Sequence, residues 1–310
     1  MAFLFERASQ MPRITRLIEH VQKGTLLQRI RRRKVYWWES QKGKTGYVEA
    51  KVQRGIRMRL HFESELARLI FCDDFERTER DFVNAFLKPG DVFVDVGANI
   101  GIFSLIAARR VGKKGRVYAF EPTPKTFSRL QDNVKLNRFF NIQCFQQALS
   151  DEAGEFRFYI SDDGFDAWNS LAPPVRGRQI GTAVTKGDTW DNFAREKNLV
   201  GKVAMMKIDV EGWESRVLGG GHETLSRDDA PLLQVEFTDE AAASAGSSSL
   251  DLYHTLQGLG YELFAYDPER SQLIEEPLRE QYPYMNLIAS KSKQDVAKRL
   301  NQQNRISLFR

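Results

Sequence analysis

Short apolar segments alternate with stretches of helical periodicity from Asp91 onward, and this alternation constrains the fold more than any other feature of the chain. Strands that alternate with helices form a parallel sheet covered by helices. Two late strands have no obvious helix between them, so they should pair antiparallel. The seven predicted strands are Asp91–Val96, Arg116–Glu121, Asn141–Ala148, Val203–Val210, Leu232–Phe237, Tyr261–Tyr266 and Met285–Ser290. The sequence therefore predicts a doubly wound α/β fold whose sheet is mainly parallel with an antiparallel last strand.

The remaining segments are predicted to be additions to this sheet. Residues 47–61 alternate about Arg54-Gly55 as in a β-hairpin, and residues 154–160 are typical of an extra strand. The polar, proline-containing stretch 161–182 is predicted to be irregular. The predicted divisions are a basic helical arm at 1–45, a hairpin and helix extension packed on the core at 46–89, a main domain at 90–290 with an insertion at 150–200, and a polar, helical tail at 291–310.

Positive charge is concentrated at the N-terminus. Residues 1–34 hold nine Lys/Arg and two Glu, a local charge of +7, while the whole chain carries +5 and the remainder therefore −2. A nearly neutral body argues against nucleic acid as a partner. Basic residues beside Trp37-Trp38 suit a membrane surface, and equally a solvated helix whose aromatic side chains dock on protein.

The location predicted from composition is the cytoplasm, with the basic arm allowing peripheral contact at the inner face of a membrane. The chain has two cysteines, which fits a reducing compartment. We find no apolar run of about 18 residues that would span a bilayer. Charged residues also occur too early in the chain for a secretory leader.

The segment Asp95–Gly101 closes the first predicted strand and opens a helix. Gly97 lets the chain turn sharply near a ligand, and Gly101 permits close approach at the start of the helix. The G-x-x-x-G spacing differs from the G-x-G-x-x-G of a dinucleotide site, so a pyrophosphate is not the favoured ligand. The plain alternative is that the glycines only make the turn. Ala98 and Asn99 lie inside this predicted cofactor turn.

Two later strand ends add to the predicted cofactor site. Glu121 ends the second strand, where a carboxylate can accept hydrogen bonds from both hydroxyls of a ribose, with Pro122 fixing the turn. Gln147 and Ala148 close the third strand, and an amide beside a small residue suits the edge of an adenine. The alternatives are that Glu121 caps the following helix and that the third strand simply ends at Gln147.

Acidic residues end the fourth and fifth strands. Asp209 and Glu211 follow the fourth strand and Glu236 lies near the end of the fifth, so their carboxylates should meet at one sheet edge. Mutual repulsion raises carboxylate pKa values and suits proton acceptance, so Asp209, Glu211 and Glu236 are the predicted catalytic residues. The alternative for Glu211 is a first-turn acid favoured by the helix dipole. No metal is predicted, although Asp209 and Glu211 with Asp188 or Asp191 could offer oxygen ligands for Mg²⁺.

Together these motifs resemble the FkbM family of methyltransferases over roughly residues 76–290. The motifs are DVGANIG (Asp95–Gly101), FEP (Phe120–Pro122), QALS (Gln147–Ser150), GDTWDNF (Gly187–Phe193) and KIDVEGWE (Lys207–Glu214). The resemblance implies a seven-stranded Rossmann-like methyltransferase sheet, S-adenosylmethionine as the methyl donor, and hydroxyl acceptors on sugars or secondary metabolites. By this resemblance the cofactor-binding positions are Asp95, Gly97, Asn99, Gly101 and Glu121.

The resemblance also bears on positions outside the main motifs. Glu76 matches a position that could reach the methionine end of the cofactor, and Asp209 is included among the predicted cofactor contacts. Gln147 departs from the pattern, since Asn is expected there, and Thr189-Trp190-Asp191 departs because Leu usually precedes the Asp. The first departure puts the adenine contact in doubt, and the second concerns packing.

The acceptor site is predicted in the variable stretch Asp162–Leu171. Trp168 could stack on a sugar face, while Asn169 and Ser170 could bond to hydroxyls. The alternative is a surface loop held down by Phe165 and Trp168. The expected partner is a small-molecule or glycan acceptor, and the sequence gives no oligomeric state. Two rival functions are an NAD-dependent oxidoreductase and a non-catalytic scaffold of the same fold.

Overall fold

The computed structural model describes residues 26–53, 55–161 and 179–307. The chain divides into two compact units, with the boundary between Phe75 and Glu76. The domain limits predicted from the sequence remain a prediction. Trp168, Asn169 and Ser170 and most of the basic arm lie outside the described residues, as does Arg54.

The first unit contains the predicted hairpin between two helices. Its elements are α1 (Leu26–Glu39), β1 (Tyr47–Gln53), β2 (Ile56–His61) and α2 (Glu65–Cys72). The two strands pair antiparallel, with Ala50 opposite Met58. Alternate residues Ile56, Met58 and Leu60 are fully buried, which explains the clean period of two in the sequence. Trp38 is buried against Phe62 and Phe71, with ring centroids 5.6 and 5.3 Å apart.

The second unit is built on a twisted sheet flanked by helices. Its strands are β3 (Val92–Val96), β4 (Arg116–Phe120), β5 (Ile142–Phe145), β6 (Ala148–Leu149), β7 (Gly154–Ser161), β8 (Gln179–Asp188), β9 (Met205–Ile208), β10 (Leu232–Phe237), β11 (Glu262–Asp267), β12 (Gln272–Glu275) and β13 (Met285–Ser290). Its helices are α3 (Arg77–Phe86), α4 (Ile102–Val111), α5 (Pro124–Asn137), α6 (Trp190–Glu196), α7 (Glu214–Gly219), α8 (His222–Leu225), α9 (Asp239–Ser244), α10 (Ser249–Gly258) and α11 (Lys293–Ser307).

The main sheet has the strand order β12-β11-β13-β10-β9-β3-β4-β5. Strands β5, β4, β3, β9 and β10 run parallel, whereas β13 pairs antiparallel with both β10 and β11. The predicted doubly wound α/β class and its antiparallel last strand are confirmed. The seven predicted strands are joined by β12, which extends the edge as an eighth strand.

The two faces of the sheet differ in chemistry. Val94, Met206, Leu233 and Leu287 belong to an apolar core on one face. On the other face Asp95, Lys207, Gln234 and Ile288 are successive partners across four neighbouring strands. Partnered residues point to the same side of a sheet, so three buried polar side chains form one row. We call Asp95, Lys207 and Gln234 the polar row.

A second, three-stranded sheet has the order β6-β8-β7. It divides the predicted third strand, because Ile142–Phe145 stays in the main sheet while Ala148–Leu149 pairs with β8. Strand β8 was not predicted, since the polar composition before it indicated irregular structure. The helical segment after β9 is interrupted at Gly220 and Gly221, and Gly220 has no room for a side chain beside the Ser150 carbonyl. The predicted helical tail is α11.

Among the residues that the structure describes, no helix combines the length and the apolar character needed to cross a bilayer.

Candidate active site

The turn after β3 brings two strand ends into backbone contact. Gly97 has φ +80°, and a Cβ there would overlap the carbonyl oxygen of Asp209, which follows β9. The N–H groups of Gly97 and Ala98 both donate to the Phe120 carbonyl, at 3.1 and 2.8 Å. Glycine is therefore required at this position for the turn to lie against the neighbouring strand end.

The rest of the turn is fixed by local contacts. Asn99 has φ +50° and its Oδ1 accepts a hydrogen bond of 2.7 Å from the Ile100 N–H. Gly101 precedes α4 with φ +96°, and a Cβ there would lie 2.6 Å from the side chain of Leu130. Asp95 is buried beneath the turn and accepts a hydrogen bond of 2.5 Å from Ser104 Oγ. Burial raises the pKa of Asp95, and nearby Lys207 opposes this shift.

Glu121 holds the second strand end to this turn. One carboxylate oxygen accepts from the Asn99 N–H at 3.0 Å and the other from the Thr123 N–H at 2.9 Å. Glu121 is only 6% exposed. These two bonds orient the carboxylate, and a carboxylate oxygen can accept more than one hydrogen bond, so the ribose contact of Glu121 stays a prediction. Pro122 directly follows and leads into α5.

The third strand end is anchored to the loop after β9. Gln147 is half-buried and precedes Ala148, which is buried where β6 pairs with β8. Ser150 is fully buried, and its Oγ accepts a hydrogen bond of 3.1 Å from Trp213 Nε1. This link between Ser150 and Trp213 was not predicted from the sequence. The adenine contact of Gln147 stays a prediction.

The predicted acidic residues do come together. Carboxylate oxygens of Asp209, Glu211 and Glu236 lie within 4.8 Å of one another, and we call these three residues the carboxylate cluster. Glu211 has φ +53°, and Glu236 is 4% exposed on β10. Burial first, and neighbouring carboxylates second, raise the pKa values of Glu211 and Glu236 well above the usual range. Such a cluster can share a proton or surround a cation, and the expected absence of a metal remains a prediction.

Lys207 supplies the balancing charge, and the sequence alone does not predict this role. It is 2% exposed, its Nζ donates to the Asp209 carboxylate, and it lies 4.5 Å from the centre of the Phe103 ring. Burial opposes its charge, but Asp209, Glu76 and Asp95 outweigh this effect and raise the pKa of Lys207. The lysine therefore stays protonated at neutral pH.

Glu76 is the residue that precedes α3, with φ +39°, and it joins the same group of charges. Its Oε1 accepts from Tyr284 Oη at 2.7 Å and from Asn286 Nδ2 at 3.4 Å. Its buried Oε2 has no hydrogen-bond partner among the described residues. Burial raises the pKa of Glu76 to about 7, and Lys207 counteracts the shift. Tyr284 and Asn286 were not predicted, because they lie more than 200 residues away along the chain.

Two other acids have structural partners. Glu214 Oε1 accepts from the N–H groups of Val210 at 2.9 Å and Gly212 at 3.3 Å, which fixes the loop carrying Glu211. Asp191 accepts hydrogen bonds from the Glu223 and Thr224 N–H groups, both at 2.9 Å. Asp191 therefore holds the start of α8, and it is not part of the carboxylate cluster.

Comparison with known proteins identifies relatives of this chain. The methyltransferase FkbM domain matches residues 95–263. The chain is 28% identical over 180 residues to 2-O-methyltransferase NoeI of Sinorhizobium fredii, covering 53% of this chain and 70% of that protein. It is 34% identical over 164 residues to 31-O-demethyl-FK506 methyltransferase FkbM of Streptomyces tacrolimicus, covering 43% and 60% respectively. It is 31% identical over 147 residues to hexuronic acid methyltransferase AglP of Haloferax volcanii, covering 46% and 56%.

A parallel sheet with a glycine turn and an acid at the next strand end is typical of nucleotide-binding α/β folds. Because the domain match spans more than half of the chain, the chain belongs to the methyltransferase FkbM domain family. The predicted family is thereby confirmed, and with it the enzyme class, a methyltransferase with S-adenosylmethionine as methyl donor. The match gives no support to an NAD-dependent oxidoreductase. The individual site residues remain predictions.

Proposed function

We propose that this chain transfers the methyl group of S-adenosylmethionine to a hydroxyl group of a small molecule or glycan. The observation that supports the proposal most is the carboxylate cluster beside the glycine turn, because carboxylates there would accept a proton close to the expected methyl donor. The names of NoeI, FkbM and AglP, two of which specify O-methylation and one a sugar acid as acceptor, agree with an oxygen acceptor on a sugar or metabolite.

The described residues fit the cofactor at both ends. When bound, the cofactor supplies a methyl group already activated on a sulfonium. Glu121 has two oriented oxygens for the ribose hydroxyls, and the Gly97 turn lets the ligand approach the backbone. Glu76 has a buried oxygen without a partner among the described residues, which suits the ammonium of the methionine end. Holding donor and acceptor in line can supply roughly 7–11 kcal/mol of the barrier.

Glu211 is the proposed general base, with Glu236 beside it. A hydroxyl must lose its proton during attack, and a raised carboxylate pKa improves the match between base and operating pH. Asp209 is already hydrogen-bonded to the buried Lys207, so its proposed role is to hold negative charge near the sulfonium. The proton of the acceptor hydroxyl passes to Glu211. The pKa of Glu211 is raised by burial and by the adjacent carboxylates.

The proposal predicts that the wild-type chain forms a methyl-labelled product and that the Glu211→Gln variant forms much less of it. Incubation of the protein with methyl-labelled cofactor and cell-extract fractions should label a product that mass spectrometry identifies. Glu211→Gln should lower kcat by about 10²–10⁴-fold while S-adenosylhomocysteine affinity changes less than threefold. Because the base works when deprotonated and its pKa is raised, wild-type kcat should rise with pH above the ordinary glutamate range.

The matched control is Glu155→Gln, an exposed glutamate on β7, which should retain wild-type kcat. An unchanged kcat in Glu211→Gln would exclude Glu211 as the base. Absence of any labelled product, with no binding of S-adenosylhomocysteine, would exclude the proposed function as a whole.

Contact of the N-terminal arm with an anionic membrane surface is a second proposal. Helix α1 carries four consecutive basic residues, Arg31–Lys34, and exposes Ile30 and Tyr36. Burial of Trp38 within the first unit counts toward the competing interpretation of aromatic packing on protein. Deletion of residues 1–34 should reduce sedimentation with phosphatidylserine vesicles at low salt, and equal sedimentation of the shortened chain would contradict the proposal.

A further inference from the structure

A cavity of about 260 Å³ lies between α3 and the strands β10, β11 and β13. Phe82 and Tyr266 contribute aromatic rings to its wall, and Gln234, Glu79, Tyr284 and Asn286 contribute polar groups. We call it the α3 cavity. The residues that line it all belong to the second unit.

Gln234 is the unusual member of this wall. It is fully buried in the middle of β10, and neither atom of its side-chain amide has a hydrogen-bond partner among the described residues. Buried polar groups are almost always paired, since leaving one unpaired costs the full loss of its hydration. The residue paired with Gln234 across the strands, on β13, is the apolar Ile288. Packing alone would therefore allow an apolar side chain at position 234. The amide is therefore best explained by a ligand that enters the cavity.

The polar groups of the cavity wall determine which hydrogen-bond donors and acceptors the ligand must carry. The Gln234 amide supplies one acceptor and a donor group, and the buried Oδ1 of Asn286 is a further acceptor without a partner in the described part of the chain. Glu79 adds a carboxyl whose pKa is raised by burial, and a hydroxyl can hydrogen-bond to either form of a carboxyl. Hydroxyl groups both donate and accept, so they match this set better than a phosphate or a metal ion does.

The volume of the α3 cavity and the chemistry of its wall favour a ligand with a single ring. The cavity is smaller than the roughly 300–1,000 Å³ of sites that hold drug-sized ligands. Phe82 and Tyr266 pack edge to face with centroids 4.9 Å apart, so their rings form a rigid apolar wall. A hydroxylated ring has apolar C–H faces for such a wall and hydroxyls at its rim for Gln234 and Asn286.

The α3 cavity adjoins the proposed site of methyl transfer. Tyr284 and Asn286 line the cavity and also hydrogen-bond to Glu76. Asn286 is the direct partner of Glu236 across β13 and β10, so the carboxylate cluster lies one residue pair away. We infer that the α3 cavity binds a sugar-like, hydroxylated ring of the acceptor, with Gln234 hydrogen-bonded to ring hydroxyls and another hydroxyl presented to Glu236 and Glu211. This inference rests on the proposed function.

Gln234→Leu tests the inference, because it keeps the side-chain volume and removes only the amide. The probes are methyl glycosides of glucose, fucose and glucuronic acid, measured by saturation-transfer NMR with S-adenosylhomocysteine present. The wild-type chain should bind at least one of them, and Gln234→Leu should weaken that binding at least tenfold. S-adenosylhomocysteine affinity should change less than twofold, and the melting temperature should stay equal or rise. Gln234→Met repeats the test with an unbranched side chain.

The matched control is Gln143→Leu, an exposed glutamine on edge strand β5, which should leave sugar binding unchanged. The inference would be overturned if the wild-type chain bound none of the glycosides, or if both Gln234 variants bound them as tightly as wild type does. Either result would leave the proposed function intact. Failure of the wild-type chain to bind S-adenosylhomocysteine and to transfer methyl groups would instead overturn the proposed function.

Discussion

Replacing Lys207 by methionine should destabilise the second unit by about 3–5 kcal/mol. The lysine side chain is 3% exposed and the Asp209 side chain 15% exposed, so removing the cation leaves a poorly solvated carboxylate without its partner. Asp95 and Glu76 also lose the positive charge that opposes the rise in their pKa values. Urea unfolding followed by circular dichroism would measure the change in free energy.

The double variant Lys207→Met/Asp209→Asn distinguishes charge from packing in this prediction. Removing both charges relieves the unpaired carboxylate, so the double variant should recover most of the stability lost by the single one. Lys202→Met is the matched control, since Lys202 is exposed five residues earlier, and it should change stability by less than about 0.5 kcal/mol. A single Lys207→Met variant within 1 kcal/mol of wild type would contradict the role given to this ion pair.

Glu121→Ala should weaken S-adenosylhomocysteine binding by at least about 100-fold. Hydrogen bonds to a charged group contribute about 1.5–3 kcal/mol each, and two ribose hydroxyls lose their acceptor. The variant also releases the Asn99 and Thr123 N–H groups, so part of the loss comes from a less ordered turn. Isothermal titration calorimetry would measure the affinity, and Glu121→Gln, which keeps one oxygen, should give an intermediate value.

Glu262→Ala provides the comparison for Glu121, because Glu262 is exposed on β11 at the other side of the sheet. Its calorimetric affinity should equal that of wild type. If Glu121→Ala binds S-adenosylhomocysteine within threefold of wild type while remaining folded, Glu121 does not hold the ribose.

The alternation of strands and helices could be predicted because the parallel strands are buried on both faces. Such strands appear as nearly continuous apolar segments, and the turn at Gly97 and the acid at Glu121 mark their ends. The carboxylate cluster could be predicted for a related reason, since carboxyl ends of parallel strands meet at one edge. Strand β8 could not, because its pairing partner β7 rather than its own composition determines that it forms a strand.

The residues of the candidate site that the sequence did not predict depend on contacts between distant segments. Tyr284 and Asn286 reach Glu76 across more than 200 residues, which no periodicity of the chain can indicate. In the sequence, Gln234 and Lys207 are polar residues that interrupt mainly apolar strands. Only the register of β9 and β10 shows that they are direct partners in the polar row. Residue type therefore identified the acids at strand ends, while strand pairing identified the polar groups beneath them.

The overlap that any side chain at Gly97 would cause with the Asp209 carbonyl has a consequence for redesign of this enzyme. The atom of Asp209 that would be overlapped is its main-chain carbonyl oxygen, so no compensating side-chain substitution at Asp209 can restore the space. The turn at residues 95–101 and the loop at residues 207–214 must consequently be kept together in any redesigned sequence. A library that seeks new acceptors should keep residues 95–101 and 207–214 constant and vary the cavity-facing positions of α3 and β13, such as Thr78 and Met285.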